Sequence, residues 1–439
     1  MTSASISDLA VVPMAPPPDE AARRRGVAAA VIGNTLEFYD FTTYAFFAVT
    51  IGKTFFPTGD AWISLLASVA IFGVGFVTRP IGGVFIGAYA DQAGRKPAMI
   101  LTIALMAVGM LMLALTPGYD TIGVAAPILV VLGRLIQGFA LGGEVGPSTA
   151  YLIESAPAGK RGFYASWQLA SQGIAILAAG TIGLILSLIL SSAQMQLWGW
   201  RIPFLLGLLI IPVGLYIRRA MPETAGEGHG HAEASTGAVL AELFKSHGGT
   251  LALVVPATLC STVSVYVSNY MTTYAIGTLK LSSSVSIAAT AMIGVCTLVF
   301  SLISGGLSDR YGRRPLMIVP RVLLVLAAYP AFLLMVKSPG ALSLLTMSGL
   351  LATLNSLSAA ASLVAIPELL PKNVRSAGLS VAYAFVVTVF GGTTQLVITW
   401  LIGATGDPLA PAYYLIGTSI LGALAMLAFP ETRTKKLAE

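Results

Sequence analysis

Gly33-Asn34-Thr35-Leu36-Glu37-Phe38-Tyr39-Asp40-Phe41 sets two carboxylates inside an apolar run from Val27 to Ile51, and the fold is decided by how this stretch is read. The run is long enough to cross a bilayer as a helix. A carboxylate near the bilayer midplane costs about 2.5–3.5 kcal/mol on insertion scales, so an intramembrane acid is by default a functional group with a partner. Glu37 and Asp40, at i and i+3, lie about 60° apart on one helix face. Two adjacent negative charges in hydrocarbon need a proton or a cation, and a carboxylate so placed can load and release a proton. The bland alternative is a pair satisfied by neighbouring helices with no part in transport.

Composition widens this one span into a class. Of 439 residues, 56% are hydrophobic and 10% charged, against about 25% charged in soluble domains. An integral membrane protein of many spans follows. Cys260 and Cys296 both lie in apolar runs, which argues for packing rather than a disulfide framework or a Cys-x-x-Cys metal site. Residues 1–26, with Pro16-Pro17-Pro18 and Arg23-Arg24-Arg25, read as a disordered tail, and the run after them is too long and too acidic for a signal peptide.

Apolar segments follow at about 27–51, 62–90, 97–116, 122–153, 162–190 and 201–218. After a connector rich in Gly, Ala and His come six more, at 249–276, 283–306, 315–336, 341–366, 376–403 and 411–429. Twelve helices put both termini on one side. With that side cytoplasmic, 18 of the 25 basic residues fall in cytoplasmic segments, as the positive-inside rule requires. The net charge of +6 is thereby explained by topology, and no nucleic-acid partner is implied. The expected organisation is a cytoplasmic tail to 26, a six-helix bundle over 27–218, a connector over 219–248, a second bundle over 249–429, and a cytoplasmic tail over 430–439. His229, His231 and His247 belong to the connector and read as solvated loop rather than metal ligands.

The halves repeat each other. Gly87, Asp91, Gly94, Arg95, Lys96 and Pro97 recur 218 residues later as Gly305, Asp309, Gly312, Arg313, Arg314 and Pro315. Glu154, Pro157 and Arg161 recur 214 residues later as Glu368, Pro371 and Arg375. Parallel repeats of this kind build transporters that rock about a site between two bundles. The paired loops read as a gating layer of Asp91, Arg95, Lys96, Glu154, Arg161, Asp309, Arg313, Arg314, Glu368 and Arg375, whose ion pairs form when the bundles close on the cytoplasmic side. A basic turn that only sets topology is the plainer reading.

Charges at depth fall mainly in the first half. Arg79 lies 12 residues before Asp91, roughly 18 Å along a helix and close to mid-bilayer. Arg134 sits at similar depth, with Gln137 one turn on. A buried arginine needs an anionic partner, here Glu37, Asp40 or an anionic substrate. The second half offers Asn269, Tyr270, Asn355 and Gln395, groups suited to the oxygens of a small polar solute; Asn34, Gln168 and Gln172 add amides in the first. Arg321, near the cytoplasmic end of its span, is expected to snorkel.

Gly33 to Phe41, Arg79 to Gly83, Gly133 to Gly146, Trp198 to Phe204 and the paired loops resemble the metabolite:proton symporters of the major facilitator superfamily. Gly159 to Gln168, Gln172 and Phe390 to Thr393 resemble bacterial citrate and tricarballylate symporters in particular. That resemblance implies twelve transmembrane helices in two pseudo-symmetric bundles and proton-coupled import of a small carboxylate, citrate or a related tricarboxylate. It implies Asp40, Glu37 and Arg134 as the proton-coupling group, with Asp40 the carrier by likeness to proton-coupled sugar carriers. Substrate binding would fall to Asn34, Arg79, Arg134, Gln137, Gln168, Gln172, Asn269, Tyr270, Asn355 and Gln395. The proton gradient drives transport without a cofactor or metal; the partners are a small anionic metabolite, protons and the bilayer. A monomer in the bacterial inner membrane is expected, and no enzyme activity. Carriers of dicarboxylates, shikimate or betaine share the same motifs and stay open as substrate alternatives. An exporter would carry Gly-Pro-x-x-Gly-Gly in the fifth span, and 162–190 contains no proline.

Overall fold

A computed structural model describes residues 20–93, 95–142, 149, 151–153, 155–157, 159–209, 211–214, 236–369 and 382–433. The side chains of 21, 22, 87, 88, 90–93, 95, 96, 99, 236–244, 246 and 247 are outside the description. Among the described residues the chain is helical with no strand. The first span is α1 (Glu20–Phe46) continued by α2 (Ala48–Phe55). Then come α3 (Ala61–Val77), α4 (Arg79–Ala93), α5 (Arg95–Leu115), α6 (Ala125–Ala140) and α7 (Arg161–Ile189). The apolar stretch Gly199–Gly214 follows. The second half holds α8 (Thr236–Gly277), α9 (Ser283–Tyr311), α10 (Arg313–Lys337), α11 (Ala341–Leu369), α12 (Ala382–Thr405) and α13 (Ala410–Ala428).

Eight of the described helices are long and apolar enough to cross a membrane, and three shorter apolar helices accompany them. With the acid-bearing α1 and α2 they account for the twelve expected spans. Two boundaries differ from expectation. Helix α1 begins at Glu20, inside the stretch expected to be disordered; good helix formers extend the span outward, and Glu20 bonds Arg24 at 2.6 Å across one turn. Likewise α8 starts at Thr236, so the last part of the 219–248 connector is helical.

The halves meet along small-residue seams, because helices in lipid associate through close backbone packing. A Cβ at Gly173 or Gly180 of α7 would overlap the backbone of Leu298 or Ala291 on α9, and Gly162 faces Gly305. On the other flank, α3 packs on α12, with Gly73 against Gly392 and the Thr388 hydroxyl donating to the Phe76 carbonyl at 3.2 Å. Helix α12 contains a π-turn at Val387–Gly391 beside this contact. Helices α1 and α8 face each other across the centre, where the Thr273 hydroxyl donates to the Ala45 carbonyl.

Candidate functional site

The second span breaks at Thr78. Helix α3 ends at Val77, α4 restarts at Arg79 with Pro80 in its first turn, and the Thr78 hydroxyl donates to the Leu135 carbonyl of α6 at 2.8 Å. At this break α3 and α6 approach so closely that a Cβ on Gly138 would overlap the Gly75 carbonyl. That approach brings Arg134 under the aromatic rings of α1 and α3.

Arg134 Nη1 meets Asp40 Oδ2 at 2.9 Å, and both side chains are buried, at 1% and 0% exposure. The same nitrogen donates to Gln137 Oε1 at 2.7 Å. Arg134 Cζ stacks 4.4 Å from the Tyr44 ring centre and 4.9 Å from that of Phe41. Arg134 Nε and Nη2 have no hydrogen-bond acceptor among the described residues. Arg79 is buried beside them, its Cζ 4.7 Å from Phe41 and 4.4 Å from Phe76, so the two guanidinium groups share the Phe41 ring. Glu37 is buried within electrostatic reach of Tyr266 and Tyr383, as is Arg79. The acid pair is thus divided: Asp40 holds the arginine of α6, and Glu37 faces the second half.

Between the halves lies a cavity of about 70 Å³ lined in part by Phe38, Gln172, Ser261, Thr262, Tyr266 and Tyr383. Of the other expected binding residues, Asn34 and Gln168 bond each other at 3.0 Å, and Asn34 also donates to Ser171 at 2.6 Å, tying α1 to α7. Tyr270 accepts from Thr399 at 2.8 Å. Asn269 Oδ1 and both amide atoms of the fully buried Gln395 have no hydrogen-bond partner among the described residues, and amides so placed are available to a polar solute.

Arg321 corrects the expectation that it snorkels. It is wholly buried, and its guanidinium donates to the hydroxyls of Ser358, Ser264 and Ser261 at 3.2, 3.0 and 3.1 Å, to Asn355 Oδ1 at 3.1 Å and to the Cys260 carbonyl at 3.4 Å. Small residues on α8 and α11 leave the room for this, and Asn355 is its partner.

A layer of ion pairs joins the two halves around Asp309 and Glu368. Asp309 accepts from the backbone N–H groups of Gly162 and Phe163 at 2.8 and 3.0 Å, so a carboxylate of the second half caps the N-terminus of α7 in the first. Arg313 bridges Asp309 at 2.8 Å and Glu368 at 3.3 Å; Arg161 lies 3.9 Å from Glu368. Thr432 donates to Glu368 at 2.6 Å, and Glu431 accepts from the backbone N–H of Arg313, Arg314 and Arg433. Burial pushes the Glu431 carboxyl up, but those three N–H donors outweigh it and hold the group below its ordinary range. Glu431 and Thr432 stand outside the expected gating residues, although the sequence marks them through the recurrence of Pro222-Glu223-Thr224 as Pro430-Glu431-Thr432. Glu154 and Arg375, and the side chains of Asp91, Arg95 and Lys96, lie outside the described residues.

The family model described as "Sugar (and other) transporter" matches residues 26–236 and 226–439. The chain is 37% identical to the citrate-proton symporter of Klebsiella pneumoniae over 90% of this chain and 88% of that one. It is equally identical to the citrate-proton symporter of Salmonella typhi, over 93% and 95%. The proline/betaine transporter of Escherichia coli K12 is 32% identical over 95% and 86%. Among solved structures, a D-xylose-proton symporter superposes with a TM-score of 0.76 at 19% identity, covering 94% of this chain and 99% of that one, a likeness of fold.

Proposed function

The chain belongs to the sugar (and other) transporter family, and from that premise we propose that it imports citrate or a related tricarboxylate together with protons. It is a transporter of the major facilitator superfamily, not an enzyme. The observation that carries the coupling is the buried pair of Asp40 and Arg134. Removing one partner of such a pair leaves an uncompensated charge, so the pair opens at low cost only when a proton neutralises Asp40. Protonation from outside releases Arg134, whose unfilled Nε and Nη2 donors then meet a substrate carboxylate in the fork geometry arginine offers.

Alternating access follows from the seams. The halves 27–218 and 249–429, joined by 219–248, rock about the cavity, and inward opening must break the Asp309 cap on α7 and the contact of Arg161 with Glu368. Energetics require the proton, since each negative charge moved inward against 100 mV costs about 2.3 kcal/mol. The setting proposed is the bacterial inner membrane, as a monomer with both termini cytoplasmic and no cofactor besides the proton gradient.

The betaine carriers among the relatives give a second reading. An aromatic cage suits a quaternary ammonium. Here Phe41, Tyr44 and Phe76 are already covered by the guanidinium groups of Arg79 and Arg134, which favours an anion. The test is uptake of labelled citrate into proteoliposomes with and without an inward proton gradient, challenged by unlabelled tricarballylate, dicarboxylates and glycine betaine. Gradient-driven accumulation blocked by tricarboxylates supports the reading. Accumulation blocked only by betaine contradicts it.

A further inference from the structure

Arg321 is a full positive charge held in the second half by neutral groups alone. Its partners are three serine hydroxyls, one amide oxygen and one backbone carbonyl, and no carboxylate lies in ion-pair range of it among the described residues. Arginine does not deprotonate in proteins, so the charge persists. Dipoles can satisfy its hydrogen bonds, but they leave a unit of positive potential in a low-dielectric interior, where Coulomb interactions are many times stronger than in water.

The position of the group gives that potential a direction. Ser261, which accepts from Arg321 Nη2, also lines the cavity between the halves. Ser264, which accepts from Nη1, lines a separate, smaller cavity with Ser348, whose buried hydroxyl has no hydrogen-bond partner among the described residues. The guanidinium is therefore one hydroxyl removed from the space where a solute would sit. The internal repeat sharpens this: Ser348 stands 214 residues after Arg134, so the second half carries a neutral group at the position matching the first half's arginine. Its cation stands instead on α10.

We infer that Arg321 is a second anion-recognition element, drawing one carboxylate of the substrate to the second half at Ser261 while Arg134 takes another in the first. A solute with two or more carboxylates then bridges the halves, whereas a zwitterion with a single carboxylate engages only one of them. This rests on the proposed import of a polycarboxylate and assigns it a specificity residue.

The test compares wild type with Arg321→Gln, Arg321→Lys and Ser261→Ala in proteoliposomes, reading KM and kcat separately for citrate, a dicarboxylate and glycine betaine. The expected result is a rise of at least tenfold in the KM for citrate in Arg321→Gln, with kcat changed less than threefold. Arg321→Lys recovers part of that loss, Ser261→Ala shows a smaller rise, and any betaine uptake is unaffected. Because Arg321→Gln can fold poorly, citrate-dependent thermal stabilisation of the purified Ser261→Ala and Arg321→Lys proteins provides a second readout, with a reduced shift expected in both. An unchanged citrate KM in all three variants, or an equal loss for betaine and citrate, overturns the inference while leaving citrate import intact. Wild-type protein that transports betaine and no carboxylate overturns the underlying import reading instead.

Discussion

Arg134 and Arg321 are two wholly buried arginines, one in each half, and they are compensated in opposite ways. Arg134 is paired with an acid at 2.9 Å and stacked on aromatic rings. Arg321 is spread over five neutral acceptors. A pair containing a carboxylate can be dissolved by a proton, so the first half can sense protonation. A cation held by hydroxyls cannot be switched that way, so the second half supplies a constant attraction. On the proposed import, this asymmetry would divide the labour of a symporter: coupling in one half, standing recognition in the other.

The comparison can be broken at several points, and the largest effect is expected at the ion pair. Arg134→Gln leaves Asp40 buried without a counter-charge and should cost about 3–5 kcal/mol of stability. Adding Asp40→Asn should restore at least about 1 kcal/mol, because neighbouring partners couple. Thermal unfolding of the purified single and double variants measures this, and strictly additive losses would mean that the pair does not act as one.

Next in size is Arg321→Leu. It leaves Asn355 Oδ1 without its donor, while Ser261, Ser264 and Ser358 keep their bonds to the carbonyls of Ala257, Cys260 and Met317, at about 1–3 kcal/mol for a buried polar group left unmet. No single acid-to-amide change among Glu37, Asp40, Asp309 or Glu368 should rescue it. Rescue by any of them would place a hidden counter-ion beside Arg321 and end the contrast.

A smaller loss is expected in the ion-pair layer around Asp309. Asp309→Asn weakens charge-assisted bonds to the N-terminus of α7 and to Arg313, worth about 1–2 kcal/mol together. Inward opening should become easier, seen as faster thiol labelling of a cysteine placed at Thr258 on the cavity wall. Slower labelling would mean the cap does not hold the inside closed.

The smallest effect concerns Glu431. Its carboxyl is held below the ordinary value of 4.5, so its contribution is present above pH 4.5 and is lost as pH falls through the lowered folded-state value. At this exposed site it amounts to less than about 1 kcal/mol. The stability advantage of wild type over Glu431→Gln should be constant from pH 7 to 5 and shrink on further acidification. An advantage that grows with acid would reverse the sign.

Much of the first half was legible because its chemistry is anomalous: acids and arginines in apolar runs announce themselves, and the repeated loops point to the charged layer of Arg161, Asp309, Arg313 and Glu368. Which acid met Arg134 was not fixed by the residues alone, since Glu37 and Asp40 share a helix face; the choice of Asp40 came from resemblance, and the 2.9 Å contact agrees with it. Arg321 was misread because eight residues from the start of α10 suit a snorkelling chain as well as a buried one. What decides between them is the row of serines on α8 and α11, a long-range fact invisible to local spacing. The helical starts at Glu20 and Thr236 were missed for a related reason, since a span can propagate helix into polar sequence that composition alone assigns to a tail.

The most direct measurement is labelled citrate flux in proteoliposomes containing Asp40→Asn, read once as gradient-driven accumulation and once as citrate exchange without a gradient. The division of labour predicts that accumulation is lost while exchange continues, because the neutral amide leaves Arg134 and Arg321 free to recognise the anion. Accumulation that still follows the proton gradient in Asp40→Asn would contradict it.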